Sequence, residues 1–150
     1  MAAPEELNRA VGGWAGTSLL RVMPTDPYRE SEARATVTSA AGGDLIVINY
    51  TWAEEGKPQD GMLIISGGDE PGDARAMWAD SWHQRPLWLV LSGATDEGGV
   101  VRVAAPYGEG FEWRINVDTS TADALAITMD NVAPGVARYQ VVEARYTRQT

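Results

Sequence analysis

The chain has no cysteine and a single histidine. Without cysteine there can be no disulfide, no thiolate metal site and no thiol nucleophile. His83 has no second imidazole beside it and no Asp or Glu at ligand spacing, so no metal site is expected. Lysine is almost missing: Lys57 is the only one, and the other basic side chains are arginines. Basic residues number 12 against 21 acidic ones, a formal net charge of −9. Such a surface repels phosphate backbones and anionic headgroups, so neither nucleic acid nor membrane is expected as a partner. Long apolar runs are absent. Residues 45–48 and 87–91 are apolar, far short of the roughly 20 residues that span a bilayer. The first residues carry no basic start followed by an apolar core, so a cytoplasmic location is expected.

What is present reads as strands. The chain is 150 residues long, which suits one domain with one core. Pro4, Glu5 and Glu6 favour a short opening helix, and Gly12-Gly13 stops it. Residues 31–40 then alternate small apolar side chains (Ala33, Ala35, Val37) with polar ones, the period of a strand. Further strands are read at residues 14–23, 44–54, 61–66, 74–82, 87–93, 100–105, 110–118, 124–132 and 137–148. Turn chemistry separates them, as at Gly42-Gly43-Asp44, Gly56-Lys57-Pro58, Asp96-Glu97-Gly98-Gly99 and Ala133-Pro134-Gly135. That makes ten strands with short connections, the pattern of an antiparallel up-and-down sheet. A long meander has two exposed edges unless it closes on itself, so the expected architecture is all-β, a closed barrel. A barrel of this strand number is wide enough to hold a small molecule.

Three short motifs carry a family resemblance. Gly12-Gly13-Trp14-Ala15-Gly16 resembles the Gly-x-Trp-x-Gly start of calycin-like barrels. Trp78-Ala79-Asp80-Ser81 resembles the central Trp-x-Asp-Ser signature of the DUF1579 family, and Tyr146-Thr147-Arg148 resembles its ending. The resemblance implies a ten-stranded calycin-like barrel, related in shape to fatty-acid-binding proteins and nitrobindins. Nitrobindin-like haem binding uses a histidine near the chain's end; the only histidine here is His83 in mid-chain, so haem is disfavoured and no cofactor is expected. Trp14 and Arg148 are read as a structural pair in which a guanidinium stacked on an indole shuts the barrel.

The densest candidate site is the run Trp78-Ala79-Asp80-Ser81-Trp82-His83. Strand alternation puts Trp78, Asp80 and Trp82 on one face and Met77, Ser81 and His83 on the other. Asp80 between indoles is a candidate general acid or base; the competing reading is a structural aspartate bonded to backbone or arginine. His83 is the second catalytic candidate, or a hydrogen-bonding residue at the rim. Six tryptophans against one phenylalanine suggest an interior suited to a flat or alicyclic apolar surface, although the same rings can simply fill a core. Alternation propagated from Trp14 and Arg148 places Tyr146, Ala144, Val142 and Gln140 inside, with Phe111, Trp113, Ile115 and Val117. For residues 44–54 either the Leu45 set or the set of Ile46, Ile48, Tyr50 and Trp52 faces in, and the second is preferred. The candidate ligand-binding residues are thus Tyr50, Trp52, Trp78, Trp82, Trp88, Trp113, Gln140 and Tyr146.

These residues point to a barrel that binds a small hydrophobic molecule. The alternative is an enzyme on the same barrel that cyclises, isomerises or dehydrates an apolar substrate, as in secondary metabolism. A third reading is an interaction protein with a filled interior. Association into a homodimer stays open.

Overall fold

The computed structural model describes residues 2–150. A six-residue 3-10 helix, Glu5–Ala10, precedes the sheet. Ten strands follow: β1 (Gly12–Leu20), β2 (Arg29–Ala40), β3 (Leu45–Glu54), β4 (Lys57–Gly67), β5 (Asp73–Asp80), β6 (Gln84–Thr95), β7 (Val101–Gly108), β8 (Phe111–Asp118), β9 (Ala124–Ala133) and β10 (Val136–Arg148). Each pairs antiparallel with its neighbour in sequence, and β1 pairs with β10, so the sheet closes into a barrel. Closure leaves no terminal edge strand, as the edge argument requires.

Most strand limits move by one to four residues from the sequence reading, and two of the shifts have clear local reasons. The β3–β4 turn is the dipeptide Glu55-Gly56, both at positive φ (50° and 78°). A two-residue turn of this hand lets pairing run to its foot, so Lys57 and Pro58 belong to β4 opposite Glu54 and Ala53. At the other difference, β5 stops at Asp80 rather than at Trp82, because the Asp80 side chain turns the backbone there.

Period-two alternation fills the interior. Ile46, Ile48, Tyr50 and Trp52 of β3 are buried, while Asn49 and Thr51 are exposed. Ile115, Val117, Leu125, Ile127, Met129, Ala144 and Tyr146 complete the far wall. Phe111, expected inside, sits at the first position of β8 and is exposed against Tyr107.

One end of the barrel is shut by a specific set of bonds. Trp14 and Arg148 are register partners on β1 and β10, with the guanidinium 4.5 Å from the indole centroid. The Trp14 Nε1 donates to the Ala10 carbonyl at 2.7 Å. Arg148 donates to the carbonyls of Arg9 and Val11 and pairs with Asp123 at 3.0 Å. The 3-10 helix is thereby held across the base, with Leu7 fully buried beneath it. Gly16 lets β1 approach β10 here: a Cβ on it would lie 1.8 Å from the Arg145 carbonyl oxygen.

Replacing Arg148 with alanine removes a cation–π contact and three hydrogen-bonding partners at once. Urea unfolding is expected to show a loss of about 2–4 kcal/mol, with Arg148→Lys recovering less than half of it because lysine lacks the planar fork.

Candidate functional site

The opposite end, the mouth, is where polar groups converge. Asp80 ends β5 with 3% exposure. A buried carboxylate is tolerated only when donors meet its lone pairs, and four do. Tyr50 Oη donates to Oδ2 at 2.6 Å and Trp52 Nε1 to the same oxygen at 3.2 Å. The backbone N–H groups of Trp82 and His83 donate to Oδ1 at 2.8 and 2.9 Å. The last two bonds make an Asx-type turn that ends the strand and reverses the chain into β6. Trp78 Nε1 donates to Tyr50 Oη at 2.9 Å, so that hydroxyl both gives and receives. Burial, and then the adjacent Asp80 carboxylate, push the Tyr50 phenol well above its ordinary pKa and keep it a donor.

Gly61 makes room for this hub. It pairs with Tyr50 on one side and Asp80 on the other. A Cβ there would lie 2.2 Å from Cζ and Oη of Tyr50, so only glycine lets the phenol cross β4 to reach the carboxylate. Nothing in the sequence reading singled it out, although a glycine inside a strand is itself a sign of close approach.

The turn after Asp80 reverses one expectation. His83 does not point away from Asp80; its ring enters the barrel and lines a pocket with Asp80, Tyr50, Trp52, Ser18 and Tyr146. The alternation argument failed because the strand ends at Asp80, and beyond it period two no longer applies. Leu20, Ile127, Met129, Val142 and Ala144 form the apolar wall. With its mouth the pocket measures about 370 Å³, but the space a water's centre can reach is about 20 Å³, room for a single water.

The candidate residues fall into distinct groups. Tyr50, Trp52 and Tyr146 line the pocket, with Trp78 directly behind. Trp113 stacks on Trp78 at 5.4 Å, and Trp82 meets Trp52 edge-on at 5.7 Å, partly exposed at the rim. Trp88 is not in the interior: it is 60% exposed on the outer face of β6. The run 87–91 is apolar throughout and offers no alternation; Leu91 points in, so Trp88 and Val90 point out. Gln140 is also outside. A bulge between Gln140 and Val142 shifts the register against β9, which buries both Val141 and Val142 and turns Gln140 outward to accept from Tyr28 at 3.0 Å. Ser18 was missed, although two-residue steps from Trp14 along β1 lead to it.

Electrostatically the pocket is divided. All four donors to Asp80 are in place. By contrast, Ser18 Oγ, Tyr146 Oη and both ring nitrogens of His83 bond to no protein group among the described residues, and none of them is a fully buried orphan: they belong to residues that line the pocket and keep some access. Burial raises the Tyr146 phenol and lowers the His83 imidazole, the latter opposed by the Asp80 and Glu54 charges. Near neutral pH the pocket therefore presents a protonated phenol and an uncharged imidazole. Among the described residues no group of three or more His, Asp or Glu side chains is placed to hold a metal ion.

Comparison with known proteins bears on the frame. The chain matches the family model described as "Protein of unknown function (DUF1579)" over residues 2–148 and belongs to that family. No curated protein matches it. Among solved structures it is similar to Rv2717c from M. tuberculosis, with 17% identity, TM-score 0.65, and 97% of this chain and 98% of that chain covered. It is also similar to the S-type phycobiliprotein lyase CPES from Guillardia theta, with 13% identity, TM-score 0.71, and 100% and 94% covered. At these identities the likeness establishes the barrel and nothing finer.

Two outcomes test the hub. In Asp80→Asn one amide must face two converging donors, and the unmet N–H groups should lower stability by about 3 kcal/mol in urea unfolding. The pH dependence follows from His83, whose folded pKa lies below its unfolded value of about 6.5. Burial of the neutral ring contributes in full above that value and is lost as pH falls through the folded pKa. Between pH 7.5 and pH 5, wild-type protein should therefore lose more stability than His83→Gln in the same titration.

Proposed function

We propose that this DUF1579 protein binds a small, largely apolar molecule at the barrel mouth, held by a polar function that bonds Tyr146, Ser18 and His83. The observation that carries the reading is the set of unpartnered polar groups in an otherwise apolar pocket. None of these atoms bonds to the protein, and the pocket side is the direction left open to them, where water or a ligand can meet them. Tyr146 offers a donor, His83 an acceptor on one nitrogen and a donor on the other, and Ser18 either. An alcohol, carbonyl or amide on an apolar body satisfies this set, while a carboxylate would lie close to Asp80. Similarity in shape to a phycobiliprotein lyase agrees with small-molecule binding as the use of such a barrel.

As the pocket stands it admits one water, so a larger occupant requires a side chain to move. Asp80 has both oxygens engaged by four protein donors, and we assign it to positioning: it sets the Tyr50 and Trp52 rings and the turn that carries His83. The enzymatic alternative would therefore fall to His83 with Tyr146 rather than to Asp80. We further propose that the chain acts as one domain within the cytoplasm.

Native mass spectrometry of protein purified from its own host is expected to show a bound small molecule containing oxygen or nitrogen. Tyr146→Phe should lower its affinity about tenfold, the worth of one well-made hydrogen bond. A mass equal to the bare chain in every preparation would overturn the reading.

A further inference from the structure

Four of the six tryptophans surround the His83 ring. Its centroid lies 4.8 Å from Trp82, 5.4 Å from Trp52, 5.9 Å from Trp113 and 6.1 Å from Trp78. Trp52 is stacked on it at 27° and Trp82 meets it edge-on at 85°. These indoles come from β3, β5, β8 and the β5–β6 turn, so the box is built by the barrel rather than by one local segment.

Two polar features of the box are unmet. The His83 ring nitrogens have no protein partner, so aromatic contact alone holds the ring. Trp113 Nε1 is buried with no acceptor, although a buried indole N–H normally finds one. Trp14, Trp52 and Trp78 all do. No acceptor, the His83 ring included, meets the Trp113 N–H.

We infer that the tryptophan box is a binding site for a flat, uncharged ring carrying a hydrogen-bond acceptor, and that His83 occupies it as an internal stand-in which the ligand displaces. This rests on the proposed binding function and amends it at one residue: Tyr146 and Ser18 bond the ligand, while His83 yields its place to the ligand rather than bonding it. Displacement needs only a side-chain rotamer change, because the turn itself is anchored through the His83 backbone N–H to Asp80. A vacated box adjoins the pocket beside Tyr146, so the small free volume of the closed form belongs to the stand-in state. An aromatic box can also take a cation, but the unmet indole N–H is a donor and disfavours one.

The ionisable groups around His83 are Asp80 from β5, Glu54 and Tyr50 from β3, and Tyr146 from β10. Displaced into solvent, the imidazole regains its ordinary basicity, so acid favours the displaced form and tightens ligand binding.

Coumarin is a suitable probe: flat, neutral between pH 5 and 8, with a carbonyl acceptor. Naphthalene is the matching ring without one. Equilibrium dialysis is expected to show coumarin bound at least tenfold more tightly by His83→Ala than by wild type, and in both proteins more tightly than naphthalene. Circular dichroism checks folding, and His83→Ser repeats the test if the alanine variant is impaired. Wild-type affinity for coumarin should rise between pH 7.5 and 5.5, by up to about tenfold per unit, and that of His83→Ala should not. Equal affinities for the two proteins, or tighter binding of phenyltrimethylammonium than of coumarin, would overturn the inference. If coumarin fails to bind while host-purified protein carries another molecule, the box assignment falls and the pocket reading stands. If coumarin fails and host-purified protein is bare, both fall.

Discussion

The mouth of this barrel depends on one buried carboxylate. Removing Asp80 from water has a large cost unless every strong acceptor direction is met, and each donor that meets it fixes something else. Tyr50 must cross β4, which requires glycine at position 61. Trp52 must turn its N–H inward, which sets the ring that stacks on His83. The N–H groups of Trp82 and His83 must fold back, which ends β5 and carries the imidazole into the interior. A single electrostatic demand thus links four segments from β3 to β6.

The two ends of the barrel solve different problems. At the base, Arg148, Trp14 and the 3-10 helix seal the interior, with Leu7 as the plug. Arginine suits that position because it combines a stacked face with several in-plane donors. At the mouth the polar groups divide into a satisfied hub and an unsatisfied fringe. The hub is rigid because removing any donor leaves the carboxylate short. The fringe of Ser18, Tyr146 and His83 has no protein partner and faces the pocket, so its bonds are left to water or a ligand.

Much of the frame was legible from residue order. Turn dipeptides and strand-length spacing marked ten strands; alternation placed Ile115, Val117 and Tyr146 inside and left two choices for residues 44–54, of which the preferred set with Ile48, Tyr50 and Trp52 is the buried one. Closure followed from the edge argument and from the Trp14–Arg148 pair. Misplacements occurred where period two breaks. At Asp80 a side chain captures backbone N–H groups and the strand stops, which moved His83 from outside to inside. At Val141 a bulge inserts one residue, which moved Gln140 from inside to outside. The uniformly apolar run 87–91 carried no alternation to read, so Trp88 was assigned to an interior it does not enter.

The sequence by itself determined the fold class, the strand number, the family motifs and the absence of thiol chemistry, because these rest on local pattern and composition. Only the tertiary structure decided that Asp80 is fully bonded, that Gly61 is the gap its partner crosses, and that four tryptophans meet around one histidine. Those facts depend on register between strands far apart in the chain. A shift of one residue reverses which face a side chain occupies, and no local pattern records the bulges and turns that set it.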